Sequence, residues 1–206
     1  MNPFKELCRA QKVIPVLALE DDDTSFGLCR ALVNGGLKML EITLRTPSAW
    51  SLAERVKCEV PESIVGIGTV LSSADMEKAA RLGFRFVVSP GLTESLLACR
   101  RDTGIDYLPG VSTPSEIMTA RDHGLDFLKF FPAEQSGGVT KLKSFASPFS
   151  DMVFCPTGGI NAGNVKSYLS LPNVCCVGGT WIADKNDASA GRWDRITEQA
   201  RLCATL

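Results

Sequence analysis

Eight short apolar segments recur along the chain at intervals of a little over twenty residues: Lys12–Leu19, Lys38–Leu44, Ser63–Val70, Phe84–Val88, Ile105–Leu108, Leu125–Phe131, Met152–Pro156 and Asn173–Val177. Each is about as long as a strand and rich in β-branched or aromatic residues, and each interval has room for one helix and two turns. Such alternation constrains the chain to a βα repeat, in which parallel strands are joined by helices packed against them. The intervals carry helix signals of their own. Thr46-Pro47 supplies a cap and an N1 proline, Ser72 or Ser73 opens the next helix, and Thr113-Pro114 with Glu116 has the pattern of a capping box. Gly83, Gly104 and Gly124 stand where a helix would end in positive φ. Pro3–Arg9 reads as a short helix closing the bottom of the strands, and the segment after Ala188 as a last helix.

Eight strands alternating with eight helices predict a TIM (β/α)8 barrel as one domain over residues 1–206, with the short helix at its N-terminus. An open doubly wound sheet is the second choice, and the lack of GxGxxG after the first strand weighs against it. No linker, low-complexity tract or composition shift suggests a second domain. In a barrel, chemistry gathers where the strands end at their C-terminal side, so those ends are where reactive residues are sought.

The 206 residues carry a formal net charge of −1 with both signs interspersed, which gives no footprint for nucleic acid or an anionic membrane. A small-molecule partner is expected. The eight cysteines form no CxxC pair and no zinc-type spacing, so free thiols in a reducing cytoplasm are the simplest reading. The apolar run Val13 to Leu19 is too short to cross a membrane, and Asp21, Asp22 and Asp23 follow it where a signal peptide would have small residues. The single histidine, His123, lies at a helix end before Gly124, where it would cap carbonyls or favour the dipole. One histidine cannot build the ligand set of a metal-dependent aldolase or hydrolase, so neither a metal nor a cofactor is expected and the chemistry must be organic.

Several strand ends carry polar groups. In Glu41-Ile-Thr-Leu-Arg45-Thr the period of two places Glu41, Thr43 and Arg45 on one face. Glu41 and Arg45 are then either a structural ion pair or a base beside a carboxylate-binding guanidinium. Lys129 alone among the lysines is set late in an apolar strand, before Phe130 and Phe131. Desolvation there favours the neutral, nucleophilic amine, whereas a purely structural lysine would pack its stem and send the ammonium to solvent. The seventh and eighth segments run into Thr157-Gly158-Gly159 and Gly178-Gly179-Thr180, glycine pairs that suit either tight turns or a phosphate cradle of backbone amides. Either Gly66, Gly68 and Ser89-Pro90-Gly91 are small residues that leave room for substrate, with Thr69 offering a hydroxyl, or both segments are ordinary turns.

Taken in order, Glu41-Ile-Thr-Leu-Arg-Thr, Gly68-Thr-Val-Leu, Val88-Ser-Pro-Gly-Leu-Thr-Glu, Pro109-Gly-Val-Ser-Thr, Lys129-Phe-Phe-Pro-Ala-Glu and Cys155-Pro-Thr-Gly-Gly-Ile resemble the KHG/KDPG aldolases. These lyases cleave 2-keto-3-deoxy-6-phosphogluconate (KDPG) and 4-hydroxy-2-oxoglutarate (KHG), and the resemblance runs from about Lys12 to the C-terminus. It implies that Lys129 forms a Schiff base with the substrate ketone and that Glu41 moves protons. Arg45 and Thr69 would hold the pyruvate-derived carboxylate, with Pro90, Phe131 and Thr157 lining the pyruvyl pocket. Gly158, Gly159, Gly179 and Thr180 would receive the distal phosphate; the family usually has serine at the last of these, so the hydroxyl is kept and a methyl added. The resemblance also implies a homotrimer. Alternative readings are an aldolase for the galactonate epimer, another phosphate-binding barrel acting as isomerase or synthase, and a silent binding protein on the same fold.

Overall fold

The apolar segments pair side by side and in parallel because each is flanked by a helix too long to allow a hairpin return. In the computed structural model, which describes residues 3–20 and 22–206, helix α1 (Pro3–Gln11) precedes strand β1 (Val13–Leu17). Asp21, part of the acidic run read above, lies outside the described residues. The chain continues through α2 (Asp22–Asn34), β2 (Met39–Thr43), α3 (Ala49–Glu59), β3 (Ile64–Gly68), α4 (Ser73–Arg81), β4 (Phe86–Val88) and α5 (Glu94–Thr103). It then forms β5 (Asp106–Leu108), β6 (Gly110–Val111), α6 (Pro114–Asp122), β7 (Phe127–Phe130), α7 (Gly138–Phe145), β8 (Val153–Pro156) and α8 (Val165–Leu169). The last elements are β9 (Val177–Gly179), α9 (Lys185–Ser189) and α10 (Trp193–Ala204).

Six strands pair in the order β5-β4-β3-β2-β1-β9 and three in the order β6-β7-β8. The expected fifth strand is thus longer than Ile105–Leu108 and is broken at Pro109, which has no N–H to give the ladder. Its carbonyl still accepts from the Lys129 amide at 2.9 Å. The eighth expected strand also moves. Instead of Asn173–Val177, the strand runs Val177–Gly179, in register with Val13, Ile14 and Pro15, while Val174 makes only a bridge to Phe154. A second bridge, Thr157 to Gly178, links β8 to β9.

The sheet is curled. Strands β2 and β7 are not neighbours in either sheet, yet side chains from both meet in the interior, and Phe4 of α1 stacks on Phe86 of β4 at 5.0 Å and lies 5.7 Å from Phe127 of β7. The α1 residues Phe4 and Cys8 join Ile14, Met39, Leu108 and Cys155 in a buried cluster inside the curl. A larger cluster, including Leu32, Leu52, Ile117 and Leu142, fills the space between strands and outer helices.

Most local helix signals act as expected. Ser72 accepts from the amide three residues on, and Thr113 with Glu116 makes a full capping box; Thr93, not singled out as a cap in the sequence, caps α5 in the same way. Gly83, Gly104 and Gly124 have φ of 68°, 67° and 73°. Thr46-Pro47 does not open its helix: α3 begins at Ala49 after Ser48, and the Thr46 hydroxyl donates instead to the Leu19 carbonyl at 2.6 Å. That bond ties the end of β2 to the loop after β1. Among the described residues no helix is long and apolar enough to cross a membrane.

Candidate active site

Glu41 sits in β2 between Leu40 and Ile42, both fully buried on the opposite, helix-covered face. Its own carboxylate points into the curl, where a desolvated charge is costly unless paired. The partner is Lys129, from the middle of β7: Nζ donates to Glu41 Oε1 at 3.3 Å, and both side chains are 4% exposed. The lysine therefore does not snorkel. Its ammonium also lies 5.2 Å from the centroid of the Phe131 ring, just past the end of β7. Two main-chain bonds, Lys129 N to Pro109 O and Phe131 N to Val111 O, hold this stretch against the broken fifth strand.

Space for the carboxylate comes from Gly68. A Cβ there would lie 2.4 Å from Glu41 Oε1, and one at Gly66 would lie 2.3 Å from the Phe86 ring. These glycines make room for protein side chains, which corrects the expectation that they make room for substrate. Pro90 stands above the neighbouring strand, its carbonyl 2.2 Å from where a Cβ of Gly110 would sit, and Gly110 is the register partner of Lys129.

Arg45 does not serve as the ion-pair partner of Glu41. Its Nε donates to Thr69 Oγ1 at 3.1 Å, so the two residues assigned to carboxylate binding stand together at the rim. Thr69 is held at φ 57°, a left-handed conformation that a β-branched residue adopts at a cost of roughly 1–2 kcal/mol. Strain of that size, compensated by the surrounding structure, is concentrated at functional sites.

The glycine pairs come together through the Thr157–Gly178 bridge. Thr157 is buried, and its hydroxyl would be 2.3 Å from a Cβ at Gly178, so the glycine in β9 is what admits it. Gly158 and Gly159 have φ of 100° and 79°. Their carbonyls, with that of Thr157, are all occupied: Ala133 N donates to Thr157 O at 2.8 Å, Glu134 N to Gly158 O at 3.1 Å, and the Asn164 side-chain amide to Gly159 O at 3.0 Å. Among the described residues the Gly159 amide donates to nothing, whereas the Gly158 amide faces β9 as part of the Thr157–Gly178 bridge. A positive-φ turn with engaged carbonyls and an open N–H has the form of an anion nest. Gly179 lies under the Trp181 ring, which leaves no space for a side chain there, and Thr180 is exposed just beyond β9.

A cavity of about 470 Å³ opens beside this centre, lined by Thr43, Arg45, Thr180, Trp181, Asp184 and Lys185 among others. It joins the Arg45 end of the site to Thr180, whereas Lys129 and Glu41 are not part of its wall. Trp181, Asp184 and Lys185, in the turn after β9 and the start of α9, gave no signal in the sequence, because nothing local distinguishes a segment that lines a cavity. His123 is remote, its Nε2 3.4 Å from Glu94 on the surface, and no three His, Cys, Asp or Glu side chains among the described residues converge as a metal site requires.

Comparison with known proteins places these features in a family. The family model described as KDPG and KHG aldolase matches residues 4–199. The 2-dehydro-3-deoxy-phosphogluconate aldolase of Pseudoalteromonas atlantica is 46% identical over 189 residues, which cover 92% of this chain and 88% of that one. Among solved structures, the KDPG aldolase of Legionella pneumophila, with pyruvate captured as a covalent carbinolamine intermediate, superposes with a TM-score of 0.93 at 38% identity over 96% of each chain. The 2-keto-3-deoxy-6-phosphogluconate aldolase of Zymomonas mobilis with 3-phosphoglycerate has a TM-score of 0.91 at 42% identity, covering 99% of this chain and 96% of that one. With a buried lysine and glutamate paired inside a curled parallel sheet and a glycine nest beside them, the chain belongs to the KDPG and KHG aldolase family.

Proposed function

We propose that the protein is a Schiff-base aldolase that cleaves KDPG to pyruvate and glyceraldehyde 3-phosphate, and KHG to pyruvate and glyoxylate. The observation that carries this reading is the Lys129–Glu41 pair, an amine and a carboxylate 3.3 Å apart and shielded from water. When Lys129 gives its proton to Glu41, the neutral amine attacks the C2 ketone, and the resulting carbinolamine loses its hydroxyl as water, taking that proton back from Glu41, to give a protonated imine. The C4 hydroxyl then gives its proton to the Glu41 carboxylate, the C3–C4 bond breaks, and its electrons flow into the imine to form an enamine. The aldehyde leaves, C3 takes up a proton, and hydrolysis returns the amine and pyruvate.

Arg45 and Thr69, already joined at the rim, suit the C1 carboxylate, since a guanidinium offers bidentate hydrogen bonds. Phe131, Thr157 and Pro90 enclose the pyruvyl end. The open amide of Gly159, with Gly158 beside it and Gly179 and the Thr180 hydroxyl across the Thr157–Gly178 bridge, suits the phosphate. No metal or cofactor enters, because the imine itself is the electron sink.

We also take residues 1–206 as one domain, with β5 and β6 as two halves of a single strand. The bridges between β8 and β9 would then complete a closed eight-strand barrel. The homotrimer is carried over from the resemblance and the cytoplasmic location from the cysteine pattern, and light scattering of the purified protein tests the first.

Reduction with borohydride in the presence of pyruvate is the test of the chemistry. It is expected to add a reduced pyruvyl group to the peptide bearing Lys129, with activity undiminished in excess EDTA. Labelling elsewhere, or none, would overturn the mechanism.

A further inference from the structure

The motif Lys129-Phe-Phe-Pro-Ala-Glu ends in a carboxylate to which the mechanism gives no task. Glu134 follows β7 by four residues, and its amide donates to the Gly158 carbonyl at 3.1 Å. Its side chain then turns across the glycine nest. A Cβ on Gly159 would lie 2.5 Å from Glu134 Cγ, so the Glu134 stem covers that peptide directly. The carboxylate is held at the far end by the hydroxyl of Tyr168, which donates to Oε1 from α8.

Tyr168 is fully buried, and burial with the adjacent carboxylate pushes its hydroxyl well above the ordinary tyrosine range, so it is a proton donor throughout the working pH range. Gly138 completes the arrangement: at φ 57° it brings its Cα to the pair, and a Cβ there would lie 3.2 Å from the Tyr168 hydroxyl and 3.3 Å from Glu134 Oε1. Asn164 holds the other side of the nest, its Nδ2 on Gly159 O and its Oδ1 accepting from the Asn161 amide at 2.8 Å. The segment that ends in Lys129 and the helix that follows the nest are thereby linked through a single carboxylate.

The geometry points to Glu134 as a positioning residue for the phosphate end of the substrate, clamped by Tyr168 so that the Gly158 and Gly159 amides hold one orientation. This rests on the aldolase reading above and deepens it: Glu134 touches no reacting atom, and it sets the preference for phosphorylated over non-phosphorylated keto acids. A preformed nest needs no ordering when the anion arrives, and loosening it costs affinity for the anion alone.

Steady-state kinetics of Tyr168→Phe, Glu134→Ala and Glu134→Gln on KDPG and on KHG, which lacks a phosphate, test this assignment. Tyr168→Phe keeps the buried ring, and Glu134 is exposed, so folding is not at risk. Tyr168→Phe and Glu134→Ala are each expected to raise KM for KDPG by about tenfold with kcat nearly unchanged, and to leave KHG cleavage within about twofold. Inhibition by inorganic phosphate should weaken by the same factor. Glu134→Gln, whose amide oxygen still accepts from Tyr168, should recover most of the loss. Equal losses on both substrates, an unchanged KM for KDPG, or no recovery in Glu134→Gln would overturn the assignment while pyruvate trapping at Lys129 stays intact. A parent protein that traps no pyruvate would overturn the aldolase reading, and this assignment with it.

Discussion

Gly68 shows how far a single hydrogen atom in place of a methyl can matter to the chemistry. Glu41 can lean across the curl toward Lys129 only because the facing position on β3 has no side chain. A methyl at Gly68 would meet the movable end of Glu41 rather than backbone, so relief comes by displacing the carboxylate and not by opening the fold. Gly68→Ala is therefore expected to cost no more than about 1–3 kcal/mol of stability, the usual range for overpacking. Turnover should nevertheless fall by one to two orders of magnitude, toward the loss of about 10²-fold or more expected of Glu41→Gln. Urea unfolding and steady-state rates on the same preparations separate the two effects. A Gly68→Ala protein with near-parental turnover would leave Glu41 as a structural partner of Lys129 only. The sequence showed Lys129 by its apolar setting and Glu41 by its cost, but it could not show that they meet. They lie 88 residues apart, and the glycine that makes room for the Glu41 side chain belongs to a third strand.

At the scale of elements, what could be read in advance was what is decided locally. The capping box at α6 involves four consecutive residues, so Thr113 and Glu116 announced it, whereas Thr46 is drawn away from α3 by the Leu19 carbonyl in the loop after β1. The last strand moved for a similar reason: apolar content favoured Asn173–Val177, but the ladder with β1 is made by Val177, Gly178 and Gly179, where small residues admit Thr157 and Trp181. The box also has a measurable pH signature. Burial alone would raise the Glu116 carboxyl, but the Ser112 and Thr113 amides and hydroxyls together hold it below the usual range. A carboxyl depressed in the folded state contributes stability above its unfolded value of about 4.3, lost as pH falls through the folded one. Glu116→Gln should then lower the melting temperature at pH 7 and approach the parent as the pH drops below about 4. Thr113→Ala, which removes the cap, should cost about 0.5–2 kcal/mol at pH 7. A Glu116→Gln deficit that persists unchanged in acid would mean that the charge of Glu116 contributes nothing to the box.

Across the whole molecule, the curl separates two tasks along its axis. Its N-terminal end is closed by α1, whose Phe4 is buried against Phe86 and Phe127, while Lys129 and Glu41 lie further along the same strands, toward the rim where Arg45 meets Thr69. The sequence placed a short helix at this end, but the depth of Phe4 could not be read, since an aromatic residue four positions from the N-terminus looks the same whether it plugs a curled sheet or lies on its surface. If the plug is part of the core, Phe4→Ala should cost about 3–5 kcal/mol, the range for emptying a buried aromatic site. Because the rings that Phe4 packs on, Phe86 and Phe127, are not site residues, the folded fraction should keep its kcat and KM and trap pyruvate at the parental rate. Thermal unfolding with kinetics measured well below the transition distinguishes the outcomes. A large loss of stability with unchanged kinetics supports the division of tasks. A loss of kcat in fully folded protein would show that the floor of the curl sets the position of Lys129, and the two ends would then have to be treated as one mechanical unit.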